Sequence, residues 1–247
     1  MPTAPERRQA LKAVYEQAST CTRCPQLAST RNTVVFGAGN ADADLMFVGE
    51  APGANEDLQG LPFVGAAGKL LEKLLIEIGL SRAEVFIVNV LKCRPPGNRD
   101  PLPGEIENCQ PYLRRQVELI EPRVICTLGN FATKLLREDP TGISRLHGRA
   151  EVRELGGRSV RIFPIYHPAA ALYTPRMLET LREDFARLPG LLALPSPAPP
   201  PATAPSPPAA ALAPAPDPRP PPAVRPAPAP TPAAPGPPAA ADQLGLF

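Results

Sequence analysis

The chain of 247 residues lacks the long apolar stretches that direct a protein to a membrane. It contains no run of about 18 apolar residues, so the sequence predicts no membrane-spanning helix. Its N-terminal region, with Glu6, Arg7, Arg8 and Lys12, also lacks the apolar segment of a signal peptide. We therefore expect a cytoplasmic protein.

The chain also has little excess charge of either sign. Lys and Arg together number 26 and Asp and Glu 24, which gives a net charge of +2. This balance does not indicate a broad basic surface of the kind that binds nucleic acid through charge alone. Any such contact must come from local clusters, for which the candidates are Arg94, Arg99, Arg145 and Arg149.

The composition divides the chain into three parts. Residues 1–194 mix apolar runs with charged residues and can form one globular domain. Residues 195–241 are almost entirely Pro, Ala, Ser and Thr and hold 21 of the 37 prolines. Because this segment has no apolar periodicity, we expect a disordered linker with local polyproline II character. Residues 242–247 restore apolar character after it.

Four apolar runs within the first part have the character of buried strands, at 44–48, 85–90, 124–128 and 160–165. Helical patterns alternate with them, at 4–18, 66–78, 104–119, 130–137 and 175–188. Residues 151–160 suggest a hairpin insertion. This alternation predicts a single three-layer α/β/α domain around a central, mostly parallel sheet.

Side chains suited to ligand binding follow three of these strands. Residues 49–53, Gly-Glu-Ala-Pro-Gly, follow the first strand and precede Phe63; Asn89 ends the second, and His167 follows the last. Because ligands bind at the carboxyl edge of open α/β sheets, the pattern predicts one site there. Taken singly, Asn89 could cap a strand, and Phe63 and His167 could be core residues. Their joint occurrence favours a site.

Four cysteines outside the predicted strands indicate a metal centre. Cys21 and Cys24 form a CxxC pair, and Cys93 and Cys109 follow, whereas Cys126 lies inside an apolar strand as a core thiol. In a cytoplasmic chain such cysteines favour metal binding over disulfides. Zinc and a [4Fe–4S] cluster both accept four thiolates. The residues alone slightly favour zinc, because the closely spaced cysteine runs of ferredoxins are absent.

These residues resemble those of one family over roughly residues 10–190. The matching segments are 49–53, 56–57, 62–65, 89–96 and 167–170, together with the four cysteines in order. With them the chain resembles the type-4 uracil-DNA glycosylases, the iron–sulfur branch of the uracil-DNA glycosylase superfamily. The resemblance reverses the preference for zinc: it implies a [4Fe–4S] cluster on Cys21, Cys24, Cys93 and Cys109.

The resemblance also implies an enzyme that flips deoxyuridine out of DNA and hydrolyses its N-glycosidic bond, initiating base excision repair. Phe63 would stack on uracil, and Asn89 would read its N3–H and O4. His167 would donate to O2, Glu50 would position water or stabilise the sugar cation, and Glu56 would lie near C5, where a thymine methyl is excluded. The implied uracil-binding set is Gly49, Glu50, Ala51, Glu56, Phe63, Asn89 and His167, of which Glu50 and His167 are the catalytic candidates.

Contacts with DNA are expected outside this pocket. Leu172 or Tyr173 could wedge into the gap left by the flipped base, or simply pack. Arg145 and Arg149 are candidates for phosphate contacts. The expected substrate is uracil-containing DNA, single- or double-stranded, and the expected state is a monomer.

The C-terminal residues resemble the peptide that binds the bacterial sliding clamp. The candidate contacts are Gln243, Leu244, Leu246 and Phe247. A polyproline II linker would act as a tether that raises the local concentration of the domain near a clamp. The alternative is a chance C-terminal sequence.

Two other functions stay open. One is a uracil binder without turnover, like the superfamily branch that traps uracil covalently and carries Gln where this chain has Ala51. The other is a metal-stapled DNA-binding or clamp-adaptor module without catalysis.

Overall fold

The computed structural model describes residues 3–155 and 157–197. The strands are β1 (Ala38–Gly39), β2 (Leu45–Gly49), β3 (Phe86–Asn89), β4 (Val124–Leu128), β5 (Glu151–Leu155) and β6 (Arg158–Ile165). The helices are α1 (Ala4–Ser19), α2 (Pro25–Thr30), α3 (Ala54–Gln59), α4 (Ala66–Glu77), α5 (Pro103–Ile120), α6 (Asn130–Arg137), α7 (Ile143–Leu146), α8 (Pro168–Ala171), α9 (Pro175–Phe185) and α10 (Leu188–Ala193). The linker beyond residue 197 and the peptide at 242–247 lie outside the described residues.

The strands form one sheet in the order β1-β3-β2-β4-β6-β5. The four inner strands are parallel, and β1 and β5 pair antiparallel at the two edges. Every residue of β2, β3 and β4 is buried, which is why these strands read as continuous apolar runs. The register places Gly49 beside Asn89 at the carboxyl edge.

Helices cover both faces of the sheet. On one face, Leu11 of α1 and Leu113 of α5 pack against Met46 and Val88 of the sheet. On the other, Leu71 of α4 and the apolar residues of α9 and α10 pack against β2 and β6. The predicted three-layer α/β/α architecture with a mostly parallel sheet is confirmed, as is the hairpin insertion, formed by β5 and β6.

The C-terminal helical region differs from its prediction. The helix expected over 175–188 ends at Phe185, and a separate helix, α10, begins at Leu188 with Pro189 in its first turn. Proline lacks the N–H that would continue an earlier helix, so it favours a new start. Four further helices of six residues or fewer, α2, α3, α7 and α8, are too short to produce a recognisable period, and the sequence pattern does not predict them.

No helix among the described residues combines the length and the apolar character needed to cross a membrane. The longest, α5, buries Leu113 and Val117 on one side and leaves charged residues such as Arg114 on the other. Such a helix covers a sheet from one side.

Candidate active site

A cavity of about 510 Å³ opens at the carboxyl edge of the parallel strands. It is bounded by the segment after β2, the segment leading into α4, the end of β3 and the residues after β6. Six of the site residues predicted from the sequence line it: Glu50, Ala51, Glu56, Phe63, Asn89 and His167. The fold thus brings together residues that are more than a hundred positions apart in the chain.

Gly49, the seventh, forms the end of β2 behind this cavity. A Cβ atom at this position would lie 2.3 Å from Asn89 Oδ1 and 2.8 Å from Phe63 Cζ. Contacts that short do not occur, so only glycine allows both side chains to close over the strand end.

Asn89 presents a buried polar atom without a partner. Its side chain is 2 % exposed, and its Oδ1 has no hydrogen-bond partner among the described residues. A buried, unpaired amide oxygen costs on the order of 1–3 kcal/mol, so such atoms are uncommon outside functional sites. Because Asn89 lines the cavity, a ligand with an N–H group can satisfy this oxygen.

Phe63 and His167 supply the two rings of the cavity. Their centroids are 5.6 Å apart with an angle of 30° between the planes. Phe63 is 6 % exposed and has a φ of +53°, in the left-handed region. Glu56 also lines the cavity, but its Oε1 accepts hydrogen bonds from the N–H groups of Val64 and Gly65, both at 2.9 Å. Its proposed contact near C5 of the base stays a prediction.

The tautomer of His167 follows from its position before α8. Nδ1 accepts a hydrogen bond from the N–H of Ala169 at 3.1 Å, so Nε2 carries the proton of the neutral ring. Burial lowers the pKa of His167 to about 4, and the nearby charge of Glu56 opposes this only in part. At neutral pH the ring is therefore an uncharged donor through Nε2–H.

Glu50 lies between this cavity and a second one of about 750 Å³, which His167 also borders. The second cavity extends past Asn130 and Lys134 of α6. Burial raises the pKa of Glu50, and the negative charge of Asp100 adds to the effect. Because Glu50 borders both cavities, its carboxylate can reach a group held in either one.

Residues of the loop after β3 complete the cavity, and sequence reasoning did not assign them to it. Asn98 and Arg99 line it, and Arg99 forms an ion pair with Glu105, with Nη2 and Oε1 2.6 Å apart. Asn98 has a φ of +54° and follows Gly97, also at positive φ. The Gly-Asn pair is a turn signal, but it does not reveal what the turn faces.

The four DNA contacts expected outside the pocket, Arg145, Arg149, Leu172 and Tyr173, lie on the surface and do not line the 510 Å³ cavity. Arg145 and Arg149 are exposed. Leu172 and Tyr173, which follow α8, are 40 % and 88 % exposed.

The segment that carries the two arginines is anchored to the core. His147 Nδ1 lies 3.0 Å from Asp184 Oδ2, and the N–H of Gly148 donates to the carbonyl of Pro164 at 2.9 Å. These contacts fix the backbone between Arg145 and Arg149. Both arginine side chains therefore extend from a backbone of defined position.

The four predicted metal ligands lie around one small cavity of about 20 Å³. None is in a disulfide: Cys21, Cys24, Cys93 and Cys109 are free, and Cys126 is buried in β4. Within the described part of the chain, no group of three or more His, Cys, Asp or Glu is arranged to hold a single metal ion.

N–H groups point at three of these sulfurs. Arg31 Nη1 lies 3.2 Å from the sulfur of Cys93, and the backbone N of Lys92 lies 3.2 Å from that of Cys109. Asn108 Nδ2 lies 3.7 Å from the sulfur of Cys24. Hydrogen bonds to sulfur are the usual surroundings of thiolates that bind iron–sulfur clusters. The donor set therefore fits such a cluster.

A parallel sheet that gathers an amide, an aromatic ring and an imidazole around one cavity defines an α/β protein with a ligand-binding site at the carboxyl edge of its sheet. The family model of the Uracil DNA glycosylase superfamily matches residues 36–188, and the chain belongs to this superfamily, within it to the type-4 uracil-DNA glycosylases. It is 47 % identical over 184 residues to the type-4 uracil-DNA glycosylase of Archaeoglobus fulgidus, covering 73 % of this chain and 92 % of that protein.

Two further relatives are similar to about the same extent. The type-4 uracil-DNA glycosylase of Sulfurisphaera tokodaii is 46 % identical over 190 residues, covering 75 % of this chain and 86 % of the relative. That of Saccharolobus solfataricus is 46 % identical over 188 residues, covering 74 % and 87 %. The resemblance stated from the sequence motifs is thus confirmed.

Proposed function

We propose that this protein is a uracil-DNA glycosylase that flips deoxyuridine out of DNA and hydrolyses its N-glycosidic bond. The products are free uracil and an abasic site, which initiates base excision repair. Membership of the type-4 family supports the activity. The observation that carries the assignment of the site is the buried Oδ1 of Asn89, which has no hydrogen-bond partner in the described part of the chain, in a cavity that Phe63 and His167 also line. A base extruded from the stack can enter such a cavity.

The side chain of Asn89 reads the base. Its Oδ1 accepts from uracil N3–H, and its amide N–H donates to O4. Cytosine has an acceptor at N3 and an amine at C4, so it would leave buried polar groups unpaired. A site built in this way discriminates by up to about 10⁴–10⁵. Phe63 stacks on the face of the base, and Ala51 and Glu56 bound the rest of the cavity.

His167 stabilises the leaving group. Bond cleavage develops negative charge on uracil, chiefly at O2, and the neutral ring offers Nε2–H to this atom. A donor aimed at developing charge is worth about 3–4 kcal/mol. Glu50, at the junction of the two cavities, positions the attacking water or stabilises the cationic sugar. Backbone N–H groups near Ala51 add further donors.

The DNA strand contacts exposed residues outside the 510 Å³ cavity. Arg145 and Arg149 contact phosphates, and Leu172 or Tyr173 fills the gap that the extruded nucleotide leaves. The exposure of Tyr173, 88 %, supports this role because nothing in the described chain covers the ring.

A [4Fe–4S] cluster bound by Cys21, Cys24, Cys93 and Cys109 accompanies this site. The type-4 relatives and the N–H groups directed at three of the sulfurs support the assignment. The cluster would staple the N-terminal region and α5 to the loop that follows Asn89. Its task is structural.

Excision of uracil from single- and double-stranded oligonucleotides tests the proposal, with alkaline cleavage of the abasic product and separation on a gel. We expect product in many-fold excess over enzyme. A covalent or stoichiometric complex without free product would indicate the uracil-trapping alternative. Binding without any strand cleavage would indicate an adaptor module.

The C-terminal contacts with a sliding clamp, through Gln243, Leu244, Leu246 and Phe247, are a further proposal supported by the sequence alone. Deletion of 243–247 should abolish binding to a bacterial clamp and leave excision from short oligonucleotides unchanged. Unaltered clamp binding would contradict it. The monomeric state and the cytoplasmic location stay predictions.

A further inference from the structure

Arg82 is a half-buried arginine in the turn between α4 and β3, with no place in the mechanism above. Its Nη1 donates to the carbonyl of Phe63 at 2.8 Å, and its Nη2 donates to the carbonyl of Pro62 at 2.6 Å. The two N–H groups of one planar guanidinium thus hold two successive carbonyls. Both belong to the segment that carries the ring stacked on the base.

The backbone conformation of Phe63 explains why this segment must be held in place. Phe63 has a φ of +53°, in the left-handed region. Bulky residues rarely adopt this region, and they keep it only where the surrounding structure imposes it. A free chain would relax to a negative φ and carry the ring away from the cavity.

Glu56 holds the same segment from its other side. Its Oε1 accepts from the N–H groups of Val64 and Gly65, both at 2.9 Å. Residues 62–65 are therefore fixed by a guanidinium on two carbonyls and by a carboxylate on the next two amides. Charged groups make the stronger hydrogen bonds in proteins, so this is a stiff support.

The contact with α4 adds a steric limit. A Cβ atom at Gly68 would lie 1.7 Å from the carbonyl oxygen of Phe63, so the helix packs directly on the backbone that Arg82 binds. The Phe63 carbonyl therefore cannot move towards α4. Its hydrogen bond with Arg82 restrains its movement in other directions.

We propose that Arg82 is a positioning residue for base recognition: together with Glu56 it holds Phe63 in the left-handed conformation that presents its ring to the cavity. The inference rests on the proposed glycosylase function. Arg82 does not line the 510 Å³ cavity, so it acts through the segment that carries Phe63 and not by contact with the base. Its loss should weaken base capture more than the chemical step that follows.

The first experiment compares kcat and KM for uracil excision in the wild type, R82M and R82K. R82M keeps the length of the side chain and removes both donors, so kcat/KM should fall at least tenfold, mainly through KM. R82K keeps one donor group, so its kcat/KM should lie between those of the wild type and R82M. The matched control is R182M, since Arg182 makes a comparable two-bond contact with Glu77 of α4 at 2.9 and 3.1 Å, away from the cavity. This control should stay within twofold of the wild type.

The second experiment asks whether Arg82 acts through the ring. In the F63A background, R82M should change kcat/KM by less than twofold, because the ring it positions is gone. If the two effects multiply instead, Arg82 acts by some other route and the inference is wrong. If R82M fails to fold in a thermal melt, R82K and F63A/R82K carry the same comparison.

The outcomes separate the two proposals. A wild type that releases no uracil contradicts the proposed function. An active wild type with R82M and R82K both within twofold of it contradicts only the positioning role of Arg82.

Discussion

Asn89 and His167 differ from exposed polar residues in one atom each. In Asn89 this is the buried amide oxygen, and in His167 it is Nδ1, which accepts a hydrogen bond. Asn89, at 2 % exposure, keeps a carbonyl oxygen that no described residue pairs with, and His167 keeps its proton on Nε2 because the N–H of Ala169 donates to Nδ1. In water, both groups would reorient or exchange freely. Recognition of uracil therefore depends on the burial of Asn89 and on the contact of His167 with Ala169 as much as on the side chains themselves.

Replacement of Asn89 by Asp tests the readout of the base. An ionised carboxylate cannot donate to uracil O4 and repels it, so uracil excision should fall by about 10² or more. A carboxylate can accept from the C4 amine of cytosine, so some excision of cytosine should appear. Single-turnover rates on matched oligonucleotides measure both. Unchanged uracil rates would remove Asn89 from the readout.

The low pKa of His167 predicts the acid side of the pH profile. With a pKa of about 4, the ring is neutral from pH 6 to 8, and its contribution to the single-turnover rate should be constant there. As pH falls through 4, protonation of Nδ1 breaks the hydrogen bond from Ala169. Since the unfolded ring titrates near 6.5, the native state binds fewer protons between these values, and the free energy of unfolding should fall as pH drops from 6.5 to 4.

Burial also raises the pKa of the Glu50 carboxyl. A profile measured in the E50Q variant removes this group and leaves the step of His167. At neutral pH, H167A should cut the single-turnover rate by about 10² or more. A loss of less than threefold would exclude a role at the leaving group.

At the scale of secondary-structure elements, the site depends on how closely α4 and β2 approach the segment that carries Phe63. The end of β2 needs glycine at position 49, and the first turns of α4 need glycine at position 68. Within a helix, glycine is normally less stable than alanine by roughly 0.5–1 kcal/mol. Position 68 has glycine in spite of this, because the backbone of Phe63 occupies the space that a Cβ atom would need.

The variant G68A should therefore lower stability although it favours the helix. Its Cβ would meet the Phe63 carbonyl oxygen at 1.7 Å, so we expect a loss of about 1–3 kcal/mol in the free energy of unfolding, and weaker uracil excision. The matched control is G104A in α5, where a Cβ meets nothing within 4 Å. G104A should be neutral or slightly stabilising. Equal denaturant midpoints for the two variants would contradict the packing argument.

At the scale of the whole molecule, the four cysteines come from separate regions of the chain. Cys21 and Cys24 lie between α1 and α2, Cys93 follows β3, and Cys109 is in α5. The last two flank the loop that supplies Asn98 and Arg99 to the cavity. A cluster on these thiols would therefore stabilise the position of one wall of the site.

Anaerobically purified protein should contain iron and show an absorbance band at about 400 nm. A protein with zinc in this site would lack the band. C109S should lose the band and unfold at a lower temperature. C126S is the matched control, because this thiol is buried in β4 away from the small cavity. It should keep the band. Wild-type protein with stoichiometric zinc and no iron would overturn the assignment.

Much of the fold could be predicted because its signals are local. The parallel strands appear as continuous apolar runs, and the long helices have clear periods. The residues after the strands, such as Glu50, Asn89 and His167, could be placed at one edge because parallel strands end at the same side of a sheet. The short helices could not be predicted, since fewer than two turns carry no period.

The sequence by itself determined the three-layer architecture, the edge that holds the site and the residue types gathered there. Only the tertiary structure decided what these residues do to one another. Arg82 has no motif, and its role depends on the carbonyls of Pro62 and Phe63, which it reaches across the loop. The pKa of His167 and the unpaired oxygen of Asn89 likewise depend on burial. Burial and hydrogen-bond partners come from segments distant in the chain, so no local pattern contains them.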